Sequence, residues 1–500
     1  MRYLIVLLIS ISVLLLTSCR KDFDFEPSNG QLKFSKDTVY LDTVFTNIGS
    51  STYTLKVYNK SNKDIKIPTI RLGKGLESKY RITVDGMTGE NNRIFHDVEL
   101  LAKDSMYVFI EVTADVADAN PTDFLYTDQI LFDDGNNQQK VELVTLIQDA
   151  YFLYPKRLSE TTTEMLNING EEVYGFYLDE NDPVNGNEYH WKNDKPYVIY
   201  GYAAAIGTPL LIDPGARIHF HADSGLIIGT GASLKALGTL EDKIIFEGDR
   251  LEPRFSNVTG QWETIWLTAG STNNEIEHVI IKNAAVGLNI DSNDGNFMPI
   301  KNTEIYNSSL IGLYAKTAKI QGENVVINNA GIATLYCGIG GGYEFKHCTF
   351  NNNWPSSKQV AVVVNNYYRD ENNQQVAYDL LQADFINCII FGSNTYELSL
   401  DKSSDTSKQW NTNFSKCQIK FGSINNDIYN FISDDTNIIK NRKTDFFDIE
   451  NNKLVIGEES DAINFGDDTG VNTDVTGAIR VNSGGKVDLG AYQHITFPSN

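Results

Sequence analysis

The sequence predicts an all-β protein: a β-sandwich in the first 150 residues, then a strand-built solenoid with a closing segment at its C-terminal end. Three observations carry that reading. Apolar and polar residues alternate with period two between Leu32 and Ala150. Short phrases then recur, some at an offset of 16 residues and others at 22 to 24. Asn is abundant between residues 270 and 455 and Gly totals 38, and both tolerate the left-handed corners that a repeating strand protein needs.

Ahead of the sandwich, Met1 and Arg2 precede an apolar run of 14 residues from Tyr3 to Leu16. A helix needs roughly 20 residues to cross a bilayer, so the run reads as the core of an export signal. Leu16-Thr17-Ser18-Cys19 resembles a bacterial lipobox. That resemblance implies a lipoprotein signal peptide over residues 1–18 and acyl chains, palmitate among them, on Cys19. Several chains on one residue hold a protein firmly to a membrane. Residues 19–30 are polar and charged and form a tether, and the expected location is the outer membrane, lipid-anchored and facing the cell surface.

Residues 31–150 contain about seven short alternating stretches and no helical one. Tyr53 to Tyr58 and Ser105 to Val112 alternate cleanly, and Gln129 to Phe132, Asp134-Gly135-Asn136-Asn137 and Val141 to Val144 form a hairpin. Phe45-Thr46-Asn47-Ile48-Gly49 and Leu55-Lys56-Val57-Tyr58-Asn59 resemble the immunoglobulin-like modules of bacterial surface proteins, here without a disulfide.

Residues 151–196 are acidic and less regular, and read as a joint and N-terminal cap. Leu211 to Phe220 then aligns with Ile227 to Ala236 at an offset of 16, which places Ile218 with Leu234 in one apolar column. Ile281-Lys282-Asn283-Ala284, Tyr306-Asn307-Ser308, Asn328-Asn329-Ala330 and Asn351-Asn352-Asn353 recur at 22 to 24. Phe345-x-x-Cys348, Phe385-x-x-Cys388 and Phe414-x-x-Cys417 occupy equivalent places. In stacked parallel strands such residues lie above one another about 4.8 Å apart, so the cysteines are expected as small buried hydrophobes and the asparagines as ladders at the turns. No Cys-x-x-Cys pair exists to make a finger-type zinc site.

The phrases Gly225-Leu226-Ile227-Ile228, Ile244-Ile245-Phe246-Glu247-Gly248-Asp249 and Gly260-Gln261-Trp262-Glu263-Thr264-Ile265 make residues 197–440 similar to right-handed parallel β-helix proteins of the pectate-lyase-like superfamily. They resemble its β-helix-repeat lipoproteins in particular. Asp461-Ala462-Ile463-Asn464 and Asp488-Leu489-Gly490-Ala491-Tyr492 resemble the closing segment of such proteins. Residues 441–500 are therefore expected as a C-terminal cap over the last unpaired strand edge. The resemblance implies sugar polymers on one outer face. Its lyases use Lys or Arg beside Ca²⁺ held by acids, and its hydrolases use Asp pairs.

Net charge bounds the partners. With 42 basic and 65 acidic residues the chain carries −23, which repels nucleic acid. Asp291-Ser292-Asn293-Asp294-Gly295-Asn296 is the best acidic cluster, and Asp291 and Asp294 have oxygens suited to Ca²⁺. Trp262 and Trp266 on one strand are candidate platforms for sugar rings. Arg369 lies in an insertion over residues 355–382, and His219 and His221 flank Phe220 with both rings expected outward. No phosphate loop, Gly-x-Ser-x-Gly elbow or His-Glu-x-x-His is present. Two readings follow. The solenoid binds glycans or neighbouring surface components without turnover, or it is a polysaccharide lyase or glycosidase that uses the acids at 291–296 and Arg369 on the same face.

Overall fold

The computed structural model describes residues 24–168, 170–293, 295–481 and 484–498, so Cys19, the signal peptide and Asp294 lie outside the described residues. The chain divides into two compact units between Asp149 and Ala150.

The first unit is an immunoglobulin-like sandwich of a six-stranded and a four-stranded sheet. Period-two patterning sets its core. Leu55 and Val57 of Tyr53–Tyr58, and Met106, Val108, Ile110 and Val112 of Ser105–Val112, all point inward. Leu125–Phe132 and Gln139–Gln148 form the hairpin, with Phe132 opposite Gln139 and a 3-10 turn at Gly135–Asn137. Gln139–Gln148 also pairs in parallel with Thr38–Phe45. Without a disulfide, the core is fastened by packing and by Tyr80. Its buried hydroxyl donates to the Tyr126 carbonyl at 2.8 Å and meets Thr145 Oγ1 at 2.9 Å, so no polar group is stranded there.

The second unit is a right-handed parallel β-helix built on three sheets of eleven, ten and nine strands. The chain visits the first, second and third sheets in turn, three strands to a coil. Residues 151–196 are not only a joint. Tyr151–Leu153, Glu171–Tyr177 and His190–Trp191 pair in parallel with the next strand of each sheet, and Leu153, Phe176 and Trp191 enter the core.

Register explains the repeats. Leu210 stands opposite Leu234 and Ile212 opposite Ala236, so the local period is 24. Ile218 stands opposite Phe246, not Leu234. The offset of 16 therefore overlays a first-sheet strand on a third-sheet strand, because Gly-Ala turns recur at two different corners of the coil. The longer period holds: Lys282, Tyr306, Asn328 and Asn351 are successive partners on the first sheet.

Phe345, Phe385 and Phe414 lie in register on the third sheet. Their rings stack at 5.4 and 4.9 Å between centroids, and Phe431 extends the pile at 4.7 Å. Each ring pair adds about 0.5–1.5 kcal/mol beyond its buried area. Cys348, Cys388 and Cys417 follow as buried free thiols. The Cys388 thiol donates to the Phe345 carbonyl at 3.4 Å and Cys417 to the Phe385 carbonyl at 3.2 Å, each one coil below. Burial pushes Cys348 and Cys417 up, so they remain protonated.

Asparagine serves the corners. Asn283, Asn307 and Asn329 have φ of 67°, 57° and 63°, a region that Asn tolerates better than branched residues. Asn307 Nδ2 donates to Asn283 Oδ1 at 3.4 Å and Asn329 Nδ2 to Asn307 Oδ1 at 3.1 Å. A second ladder runs from Asn324 to Asn302 at 2.9 Å at the opposite corner.

The C-terminal end is closed differently from expectation. The last coil is covered by the 3-10 segment Asp427–Ser433, whose Phe431 lies on Phe414 and whose Tyr429 hydroxyl accepts the Leu400 N–H at 2.8 Å. Residues 441–498 instead run back over the outer face of the first sheet. Leu454, Val475, Ala491 and Tyr492 pack on Tyr306 and Val326, while Ile456, Ala462 and Leu489 pack on Ile389. The tail covers the apolar members of that sheet's outward column, Ile280, Val326 and Ile389, and bonds to polar ones such as Thr349. The phrase Asp488-Leu489-Gly490-Ala491-Tyr492 makes the tightest fit. Gly490 has φ of 80°, and a Cβ there would lie 2.7 Å from Ile389 Cδ1, so only glycine suits the approach.

Candidate functional site

The outer face of the second sheet carries the most continuous run of polar and aromatic chemistry. Parallel register places Trp266, Asn289, Tyr314, Tyr336, Val363 and Ser399 in one outward column. Leu residues at the preceding position of most of these strands turn inward, so alternation alone turns the aromatics out. The aromatic part of the column begins where a hairpin ends: Leu166 and Ile168 pack over Ala204 and Ile227, two coils and one coil below Trp266, which borders that cluster.

A second outward column supplies charge. Asp291 is the register partner of Lys316, and Asn365 of Asp401. The two columns are linked. Trp266 Nε1 donates to Asp291 Oδ2 at 2.8 Å, and Lys316 Nζ meets Asp291 Oδ1 at 2.5 Å while lying 5.3 Å from the Tyr314 ring centre. Tyr314 and Tyr336 sit 5.1 Å apart, and Asn365 Nδ2 donates to the Tyr336 hydroxyl at 3.2 Å. The Tyr367 hydroxyl donates to Asp401 Oδ2 at 2.8 Å. Asn289 Oδ1, between Trp266 and Tyr314, has no hydrogen-bond partner among the described residues.

Burial, aided by nearby Asp291 and Asp401, pushes Tyr314 and Tyr336 above the usual phenol range. Both therefore present neutral hydroxyls and ring faces at physiological pH. The arrangement provides apolar ring faces and hydroxyl donors in one line, with the Asn289 amide oxygen buried between them. It does not present Asp291 as a base, because both of its oxygens are engaged by Lys316 and Trp266.

The other sequence candidates separate. Trp262 is not a platform: it is 1% exposed, stacks on Phe220 at 4.4 Å, and donates from Nε1 to the Lys282 carbonyl at 2.9 Å. Alternation breaks at the start of its strand: Trp262, Ile265 and Leu267 are buried while Glu263, Thr264 and Trp266 are half-buried, so Trp262 and Trp266 do not share a side. Arg369 belongs to a hairpin of Tyr367–Arg369 and Gln375–Ala377, donates to the Asn373 carbonyl at 3.0 Å, and lies 5.8 Å from the Tyr367 ring centre. Through Tyr367 that hairpin adjoins the Asp401 end of the strip. His219 stands on the outer side of its strand, beside Glu247 and opposite to the core residues Ile218 and Phe220, but it is buried there and burial lowers its pKa; His221 pairs with Asp249 at 2.7 Å, so the two rings do not converge on a common metal. Asp291 is committed to its ion pair, and among the described residues no group of three His, Cys, Asp or Glu is placed to hold a metal.

Tyr314, Tyr336, Lys316 and Asp401 escaped the sequence reading. A signal existed in Leu313-Tyr314 and Leu335-Tyr336, which repeat at 22 residues and thereby share a column.

No family model matches the chain, and no curated protein matches it either. Solved structures that the chain matches include the catalytic unit of the thermostable GH87 alpha-1,3-glucanase from Streptomyces thermodiastaticus strain HF3-3. It is 10% identical, with 73% of this chain and 75% of that chain covered at a TM-score of 0.28. The ASH/PapD-like domain of human CEP192 is 13% identical, covering 27% of this chain and 96% of that chain at a TM-score of 0.16. The E. coli chaperone DraB is 12% identical, covering 30% and 80% at 0.17.

One buried carboxyl flanks the same sheet. Glu397 precedes the strand Leu398–Asp401 and accepts the N–H groups of Ala361 at 2.9 Å and Asn394 at 2.7 Å. Burial nevertheless raises it from 4.5 to about 7. The folded protein thus holds a proton that the unfolded chain releases, and its contribution to stability is lost as pH rises from about 4.5 through about 7. Denaturant unfolding at about pH 5 and about pH 8 should show a smaller loss of stability for Glu397→Gln than for the parent. Equal losses would contradict this account.

Proposed function

We propose that this protein is a lipid-anchored lipoprotein of the outer membrane, exposed at the cell surface, whose β-helix binds glycans along the second-sheet strip without turning them over. The unbroken line from Trp266 through Asn289 and Tyr314 to Tyr336 carries the reading. Strands about 4.8 Å apart make that line about 14 Å long, and about 24 Å to Asp401. Rigid aromatic rings stack on the apolar C–H faces of sugars, and the Tyr314 and Tyr336 hydroxyls can bond to sugar hydroxyls. The engaged state of Asp291 favours recognition over hydrolysis. The net charge of −23 favours neutral glycans, or acidic ones bridged by divalent cations.

A panel of neutral and acidic polysaccharides, with and without Ca²⁺, tests the strip. Tyr314→Ala and Tyr336→Ala should each weaken binding by roughly five-fold, about 1 kcal/mol per ring. Unchanged binding in both variants contradicts the assignment. New reducing ends or unsaturated products would replace it with a glycosidase or lyase acting on the same face.

The anchor rests on Cys19 and the lipobox-like residues before it. No helix among the described residues is long and apolar enough to cross a membrane. Cys19→Ala should move the protein from the membrane fraction of cells to a soluble one. Retention of the variant in the membrane would contradict the anchor.

A further inference from the structure

The tail that covers the first sheet does not seal against it everywhere. A cleft of about 510 Å³ remains between them, lined among others by Lys243 and Glu304 from the coils and by Phe447, Val455, Tyr492 and His494 from the tail. That volume falls within the range of about 300–1,000 Å³ typical of small-molecule sites. The walls are mainly apolar, with a few polar groups converging on them, which is the usual construction of a binding pocket.

The polar groups of the cleft are largely engaged. Lys243 Nζ meets Glu304 Oε1 at 2.6 Å, and Glu304 Oε2 accepts from the hydroxyls of Tyr306 and Tyr492. Asp474 accepts the N–H groups of Thr476 at 2.8 Å and Gln493 at 2.8 Å. The lining holds two lysines, Lys243 and Lys453, and two acids, Glu304 and Asp474, so these groups sum to zero charge. The net charge of the lining therefore favours neither an anion nor a cation. One ring nitrogen is left over at the lining. His494 Nδ1 is engaged, 2.7 Å from the wholly buried Asp488 and 3.0 Å from Gln493 Nε2, so Nε2 is the ring nitrogen available to a guest.

We infer that this cleft is a second ligand site, for an uncharged, hydroxyl-bearing ring with one apolar face, namely a single neutral sugar residue. The ring's apolar face packs on Phe447 and Val455, and its hydroxyls meet His494 Nε2 and the Lys243–Glu304 pair. The choice of a sugar over another hydroxylated ring rests on the glycan reading above, whereas the location does not. The cleft lies on the first sheet and shares no residue with the second-sheet strip.

Saturation-transfer NMR and calorimetry on the full chain, with neutral hexoses and N-acetylhexosamines as probes, test the site. A hexuronic acid serves as the charge control and a simple phenol as the non-sugar control. A neutral sugar should bind, the uronic acid at least ten-fold more weakly, and the phenol no better. Phe447→Ala and His494→Ala should each reduce affinity at least five-fold, and Ala478→Trp, which places a bulky ring at the lining, should abolish binding. Thermal unfolding confirms that each variant is folded, and Tyr314→Ala should leave this binding unchanged. Absence of sugar binding by the parent, or cleft variants that bind like it, overturns the inference. Tighter binding of the phenol overturns the sugar assignment alone. Loss of binding in Tyr314→Ala but not in the cleft variants returns the sugar to the strip.

Discussion

Parallel strand pairing in strict register is the constraint on which everything else in the second unit depends. Once Phe345, Phe385 and Phe414 are successive partners, their rings have no freedom but to stack, and the cysteines that follow them must meet the carbonyls of the coil below. The same constraint sets the corners. A residue that turns the chain in one coil is followed, one storey up, by another that turns it the same way, and asparagine meets both needs: it tolerates positive φ, and its amide bonds to its own kind.

Register also converts scattered residues into surfaces. Trp266, Tyr314 and Tyr336 are separated by 48 and 22 positions in the chain, yet they share one column. The two outer faces then differ by what covers them. On the first sheet the outward residues include Val326 and Ile389, and the tail lies on them. On the second sheet the hairpin over residues 165–177 covers only the first coils, and the aromatic line starts at its edge. An uncovered face with rings and hydroxyls is suited to an extended ligand. A covered face with an incomplete seal is suited to a small one.

Much of this architecture is legible before any coordinates. The Phe-x-x-Cys phrases mark true storeys because an aromatic and a small thiol recur with their spacing intact. The Asn-rich phrases do likewise, since the corner conformation restricts what can replace them. What misleads is local. Gly-Ala turns occur at more than one corner, so an alignment on them joins Ile218 to Leu234 across different sheets. Alternation breaks within one strand, so Trp262 and Trp266 face opposite ways despite their even spacing. The path of residues 441–498 depends on contacts more than 100 positions away, such as Asn328 with Asn452 and Ala491 with Thr349, and no short pattern announces those. The strip escaped notice for a related reason: its tyrosines acquire meaning only when the column is known.

The register claim is open to a direct chemical measurement. Asn289 and Tyr314 are outward partners on adjacent coils, whereas Asn289 and Tyr336 are two storeys apart. A disulfide requires Cα atoms no more than about 7 Å apart, and two storeys place them about 9.6 Å apart. Cysteines introduced at 289 and 314 should cross-link under mild oxidation in the native protein, and cysteines at 289 and 336 should not. Equal cross-linking of both pairs, or of the distant pair alone, would contradict the stacking from which the rest is argued.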